Sequence, residues 1–103
     1  MATYWVTFRI EDVIVGGNTY DDRRTAFYKA IEKICTKWWL PSTSFVVFES
    51  DTDINSVCAA IRAPLSRAHD LFLLGMPEFK SARIFGKNDD NDIYDLIDFL
   101  KDG

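Results

Sequence analysis

Phe27-Tyr28-Lys29-Ala30-Ile31-Glu32-Lys33-Ile34-Cys35-Thr36-Lys37-Trp38-Trp39-Leu40-Pro41-Ser42-Thr43-Ser44-Phe45-Val46-Val47-Phe48-Glu49 changes its apolar rhythm partway along. Phe27, Ala30/Ile31, Ile34/Cys35 and Trp38 recur at helical spacing, while Lys29, Lys33 and Lys37 form a polar stripe on another face. From Trp38 onward the pattern is aromatic and β-branched, broken by Pro41-Ser42-Thr43, which predicts a short strand, a tight turn and a second strand at Ser44–Glu49. A helix running directly into a hairpin is therefore expected.

Working outward, Thr3 to Ile10 alternates, with Tyr4, Val6, Phe8 and Ile10 on one face and Thr3, Trp5, Thr7 and Arg9 on the other. This predicts a half-buried first strand. Gly16-Gly17-Asn18 suits a turn because these residues tolerate positive φ, and Thr19 followed by Asp22 has the form of a capping box for a helix starting near Tyr20. On the far side of the hairpin, Ser50 to Asp53 supplies caps for a second helix carrying Ile54, Val57/Cys58, Ile61 and Leu65, which Pro64 ends or bends. Asp70–Met76 reads as a strand that is apolar on both sides, and Ala82–Phe85 as a further short strand. Ile93, Leu96, Ile97 and Leu100 at helical spacing, after Asp89, Asp90 and Asn91, predict a third, amphipathic helix within residues 89–103.

The order β, α, β, β, α, β followed by an extra strand and helix predicts an α+β, ferredoxin-like βαββαβ sandwich. Its four-stranded antiparallel sheet would carry two helices on one face. The 103 residues make one domain of ordinary size. An apolar share of 48 % is high for so short a chain, and it implies a second sheet face that something must cover. The C-terminal helix and a second copy of the chain are the two economical covers. Trp5, Arg9, Val46, Phe48, Ile93, Leu96, Ile97 and Leu100 are accordingly the expected interface residues.

Charge and chemistry narrow the function classes. The net charge of −4 is unevenly spread: residues 1–88 hold eleven Lys/Arg and ten Asp/Glu, whereas residues 89–103 hold one Lys and six Asp. An acidic chain without a basic patch disfavours nucleic acid, which needs clustered positive charge for its phosphates. Lys29, Lys33 and Lys37, with Arg23 and Arg24 a turn or more earlier, are interleaved with Asp21, Asp22 and Glu32 and read mostly as a solvated helix face, whose further use would be as a docking stripe for the acidic helix of the same or another subunit. No apolar run approaches a membrane span and the N-terminus lacks a secretory pattern, so a cytoplasmic protein with no membrane association is expected. Cys35 and Cys58 lack C-x-x-C spacing and read as buried thiols. The candidates for chemistry are Glu11 and Asp12, which could hold a hard cation, and His69 beside Asp70, which could serve as a general base.

Thr7-Phe8-Arg9-Ile10, Tyr20-Asp21-Asp22-Arg23-Arg24, Phe27-Tyr28-Lys29-Ala30-Ile31, Trp38-Trp39, Pro41-Ser42-Thr43-Ser44-Phe45 and His69-Asp70-Leu71-Phe72-Leu73 together resemble a group of small bacterial proteins. These are proteins labelled SinR-family or grouped near the CRISPR-associated ferredoxin-fold nucleases and the VapD-type toxins. In the nuclease relatives an Asp at the end of the first strand meets its symmetry mate to hold a divalent metal. Here Arg9 stands at that position, with Glu11 and Asp12 two and three residues later. The second apolar sheet face, with Arg9 where the relatives place an Asp, leads to the expectation of a non-catalytic homodimeric interaction module without cofactor, open also to another protein partner; the resemblance implies the alternative, a Mg²⁺- or Mn²⁺-dependent endonuclease acting on RNA or DNA through Glu11 and Asp12.

Overall fold

The Thr19 hydroxyl accepts a hydrogen bond from the Asp22 N–H, and the Asp22 carboxylate accepts one from the Thr19 N–H. This reciprocal cap starts the first helix where the sequence predicts it. The computed structural model describes residues 1–103. Its elements are β1 (Ala2–Arg9), α1 (Tyr20–Ile34), β2 (Lys37–Trp39), β3 (Phe45–Ser50), α2 (Ile54–Arg62), β4 (Leu71–Gly75), β5 (Ala82–Gly86), α3 (Asp92–Leu96) and β6 (Leu100–Asp102). Gly16 and Gly17, at φ +56° and +83°, make the tight turn between the paired residues Val15 and Asn18.

All six strands form one mixed sheet in the order β2-β3-β1-β4-β5-β6. Five neighbouring relationships hold it together, and only β5 and β6 run parallel. The expected sheet of four strands is thus extended by two. β5 returns antiparallel to β4 across five register pairs, from Gly75–Ala82 to Leu71–Gly86. At the far end of that pairing Gly86 has φ +104°, and a side chain there would run into the backbone of Asp70.

The C-terminal segment departs further from expectation. The amphipathic helix predicted within residues 89–103 is only five residues long, and the chain then straightens so that Leu100 pairs with Ala82. Isolated short helices are marginal, Asp is a weak helix former, and carboxylates toward a helix C-terminus oppose its dipole. Asp95 and Asp98 lie at that end. The unpaired outer edge of β5 offers the backbone an alternative set of partners, and β6 takes it.

Side-chain alternation divides the molecule into two layers. On one face of the sheet Tyr4, Val6, Phe8, Val46, Phe48, Phe72, Leu74 and Phe85 join Phe27 and Ile31 of α1 and Val57, Cys58 and Ile61 of α2 in the main core. Aromatic rings mesh there, with Phe27 lying 4.6 Å from Phe8 and 6.1 Å from Phe72 between ring centres. On the opposite face a smaller core of Ala82, Ile84 and Leu100 is packed by Leu71, Leu73, Ile93, Ile97 and Phe99. No helix is long and apolar enough to cross a membrane.

Candidate functional site

The second sheet face is closed over only part of its width. Register places Trp39 beside Val47, Val47 beside Trp5, Trp5 beside Gly75 and Gly75 beside Ala82, so one row of outward side chains crosses five strands. The segment from Ile93 to Leu100 lies over the β4–β5 end of that face. Toward β2 no element follows, and Trp39 is 61 % exposed while Trp5, Phe45 and Val47 are half-buried. The Trp5 indole lies directly over Gly75, whose missing side chain makes room for it. Lys37 and Glu49, paired across β2 and β3, border this apolar area with one charge of each sign.

Several expected interface residues are therefore redistributed. Val46 and Phe48 are 0 % and 2 % exposed within the main core, because the hairpin register turns Phe45, Val47 and Glu49 outward instead. Ile93, Ile97 and Leu100 pack against the chain's own sheet, so they serve the second core of the same molecule. Leu96 alone of that set projects, at 79 % exposure. Trp5 and Arg9 do lie on the second face. The Lys29 and Lys33 side of α1 does not receive the acidic segment of the same chain, which packs on the opposite side of the sheet.

Where the segment from Asn88 to Leu96 bridges back toward β1, a groove of about 380 Å³ remains. Leu71, Leu73, Ile84 and Ile93 supply its apolar surface, and Arg9, Asp90 and Asp92 its charges. Arg9 donates to the Lys87 carbonyl at 3.3 Å and has no carboxylate within ion-pair distance.

At the end of β1, the candidate residues for chemistry surround a buried ion pair. Arg23 and Asp70 are 3 % and 0 % exposed, 2.9 Å apart. Every donor or acceptor of this pair that faces inward is engaged. The Asp70 carboxylate also accepts from the Glu11 N–H at 3.1 Å and the Ser66 N–H at 2.8 Å. The Arg23 guanidinium donates to the carbonyls of Val13 at 2.6 Å and Glu11 at 2.8 Å. Burial alone would push the Asp70 carboxyl up, but the hydrogen bonds from Arg23, Ser66 and Glu11, with the arginine charge, hold it below the usual carboxylate value. One helix, one strand end and the loop before β4 are thereby tied together.

This arrangement leaves Glu11 and His69 at the surface above the pair. The Glu11 carboxylate lies 3.7 Å from His69 Nδ1, with both side chains roughly 40 % exposed. Asp12 is exposed and forms no ion pair with His69. No three His, Cys, Asp or Glu side chains gather in a geometry suited to a metal ion. Both cysteines are free, Cys58 buried and Cys35 only half-buried. Burial pushes the Cys58 thiol up, and the charges of Arg62, Arg83 and Arg67 only partly oppose it.

The structure corrects the reading of Arg23 as part of a solvated helix face and makes Asp70 more than a neighbour of His69. One signal was available in the spacing. Arg23 stands four residues before the core residue Phe27 and Asp70 two before Phe72, which places both on core-facing sides of their elements. Comparisons with protein-family models, curated proteins and solved structures found no match, so the molecule's own geometry carries the functional argument.

Proposed function

We propose that this protein is a homodimeric interaction module, with a ferredoxin-like core, that pairs through the uncovered part of its second sheet face. The observation that carries the reading is the continuous area of Trp39, Val47, Phe45 and Trp5, which no segment of the chain covers. A two-fold axis suits it, because Lys37 and Glu49 on one rim give an isologous contact opposite charges to pair. The antiparallel order β2-β3-β1-β4, with α1 and α2 packed on one side, supports the ferredoxin-like assignment, and β5, α3 and β6 are then additions at one end.

Light scattering during gel filtration tests the proposal: the wild-type chain at tens of micromolar is expected at twice its 11.9 kDa mass. Trp39→Glu and Val47→Glu are expected to yield a folded monomer with an unchanged far-UV spectrum. A monodisperse wild-type monomer at that concentration overturns the reading.

The resemblance to the nuclease-containing group supplies the second reading, a metal-dependent endonuclease using Glu11 and Asp12. Its support is the pair of acidic residues following β1, with His69 3.7 Å from the Glu11 carboxylate. Under this reading Mg²⁺ or Mn²⁺ enables cleavage of RNA or DNA, and Asp12→Ala abolishes it. Cleavage that survives in Asp12→Ala, or is absent from the wild type with either metal, removes it.

A further inference from the structure

The groove between β1, β4 and the α3 segment differs from the open dimerisation area in being lined by both the sheet and the C-terminal segment, with Arg9, Asp90 and Asp92 among its residues. Its volume of about 380 Å³ falls at the lower end of what small-molecule sites use, roughly 300–1,000 Å³. Leu71, Leu73, Ile84 and Ile93 make its apolar surface, so an occupant gains by burying a hydrocarbon group. At the β1 side stands Arg9. Its only hydrogen-bond acceptor is the Lys87 carbonyl at 3.3 Å, and no carboxylate lies within 4.0 Å of it.

On the α3 side two carboxylates line the same groove. Asp90 is partly used, accepting from the Asp92 N–H at 2.9 Å, whereas the Asp92 carboxylate accepts no hydrogen bond within the chain. A groove lined by a guanidinium and a carboxylate from different elements, which form no ion pair with each other, is complementary to a ligand that carries both charges itself. A simple amine would leave Arg9 unmatched, and a simple carboxylate would face Asp90 and Asp92.

We propose that this groove binds a small zwitterion with an apolar side chain, of the chemical class of the aliphatic α-amino acids. Its carboxylate meets Arg9, its ammonium meets Asp92, and its hydrocarbon lies on Leu73, Ile84 and Ile93. The ends of the ligand rest on different parts of the chain, one on the central strand and the other on the short helix that closes the second core. Occupancy therefore also braces the C-terminal segment against the sheet. The inference is independent of the proposed dimer, since the groove lies at the covered end of the face.

The test is titration of the wild-type protein with L-leucine, followed by amide chemical shifts in ¹⁵N-labelled protein. Isoamylamine and 4-methylpentanoate serve as matched probes, each lacking one of the two charged groups. Saturable shifts at Arg9, Leu73 and Ile93 in the millimolar range are expected with L-leucine, with each single-charge probe about tenfold weaker. Arg9→Gln is expected to lower leucine affinity to that of the amine while leaving isoamylamine unaffected, and Asp92→Asn to lower it to that of the acid. Both residues are exposed, so the unliganded spectra report directly that the variants are folded. The absence of saturable shifts with L-leucine overturns the proposal, as does isoamylamine binding equally well with no effect of Arg9→Gln. A monomeric protein that still binds leucine removes the dimer and leaves this site standing.

Discussion

The two faces of the sheet solve the same physical problem with different means. On the α1 and α2 side, fourteen buried residues form a closed core in which Phe27, Ile31, Val57 and Ile61 are 0 % exposed. On the other side the only buried side chains are those of Ala82, Ile84 and Leu100, and they are sealed by a five-residue helix and a three-residue edge strand. Two long amphipathic helices cover a sheet because their stripes recur along its whole length, whereas a short acidic segment covers what it can reach. The difference teaches that the first face is about stability, and that the second is where the molecule has surface left to use.

Substitutions that break the first face should be the most damaging. Phe27→Ala removes a ring packed against Phe8 and Phe72 and is expected to cost about 3–5 kcal/mol in chemical denaturation. Asp70→Ala leaves Arg23 charged and buried without its partner, and a loss of about 3–5 kcal/mol is expected by the same measurement. If it were neutral, the ion pair would not be the tie between α1, the end of β1 and the loop before β4.

On the second face Ile97→Ala should cost about 1 kcal/mol, because the side chain is only half-buried to begin with. An equal loss at Ile97 and Phe27 would erase the contrast between the faces. Trp39→Glu sharpens it in another way: monomer stability should change by less than about 0.5 kcal/mol while the oligomeric state changes.

Acid gives a finer comparison. Since the Asp70 carboxyl titrates below its unfolded value of about 4, the stability it contributes is present above that pH and disappears as pH falls through the lower folded value. Denaturation curves collected stepwise downward from pH 5 should therefore show a steeper acid loss in the wild type than in Asp70→Asn. The smallest effect concerns rates alone. Cys58, buried with its thiol pushed up, should react with a disulfide reagent far more slowly than the half-buried Cys35 in native protein, and equally fast in denaturant.

The first strand, both long helices, the hairpin after α1 and the turn at Gly16-Gly17 were all legible because each is written in local terms. Periodicity, a capping box and turn residues need no knowledge of distant neighbours. The places where reading failed are equally particular. Val46 and Phe48 alternate with Phe45 and Val47, and both sets are apolar, so the sequence offers no polar partner to say which set faces the helices. Ile93, Ile97 and Leu100 fit a helical stripe, yet their packing onto Ala82 and Ile84 is decided by an open strand edge elsewhere in the chain.

The sequence by itself determined the order of the elements from β1 to β5, the starts of α1 and α2 and the inward face of the first strand, since these follow from short-range patterning and backbone preference. Only the tertiary structure decided that the sheet has six strands, that Arg23 and Asp70 meet in the interior, and that Arg9 and Asp92 line one groove. Those outcomes join residues 47 and 83 positions apart, where a charge's partner is fixed by register and burial rather than by its neighbours in the chain.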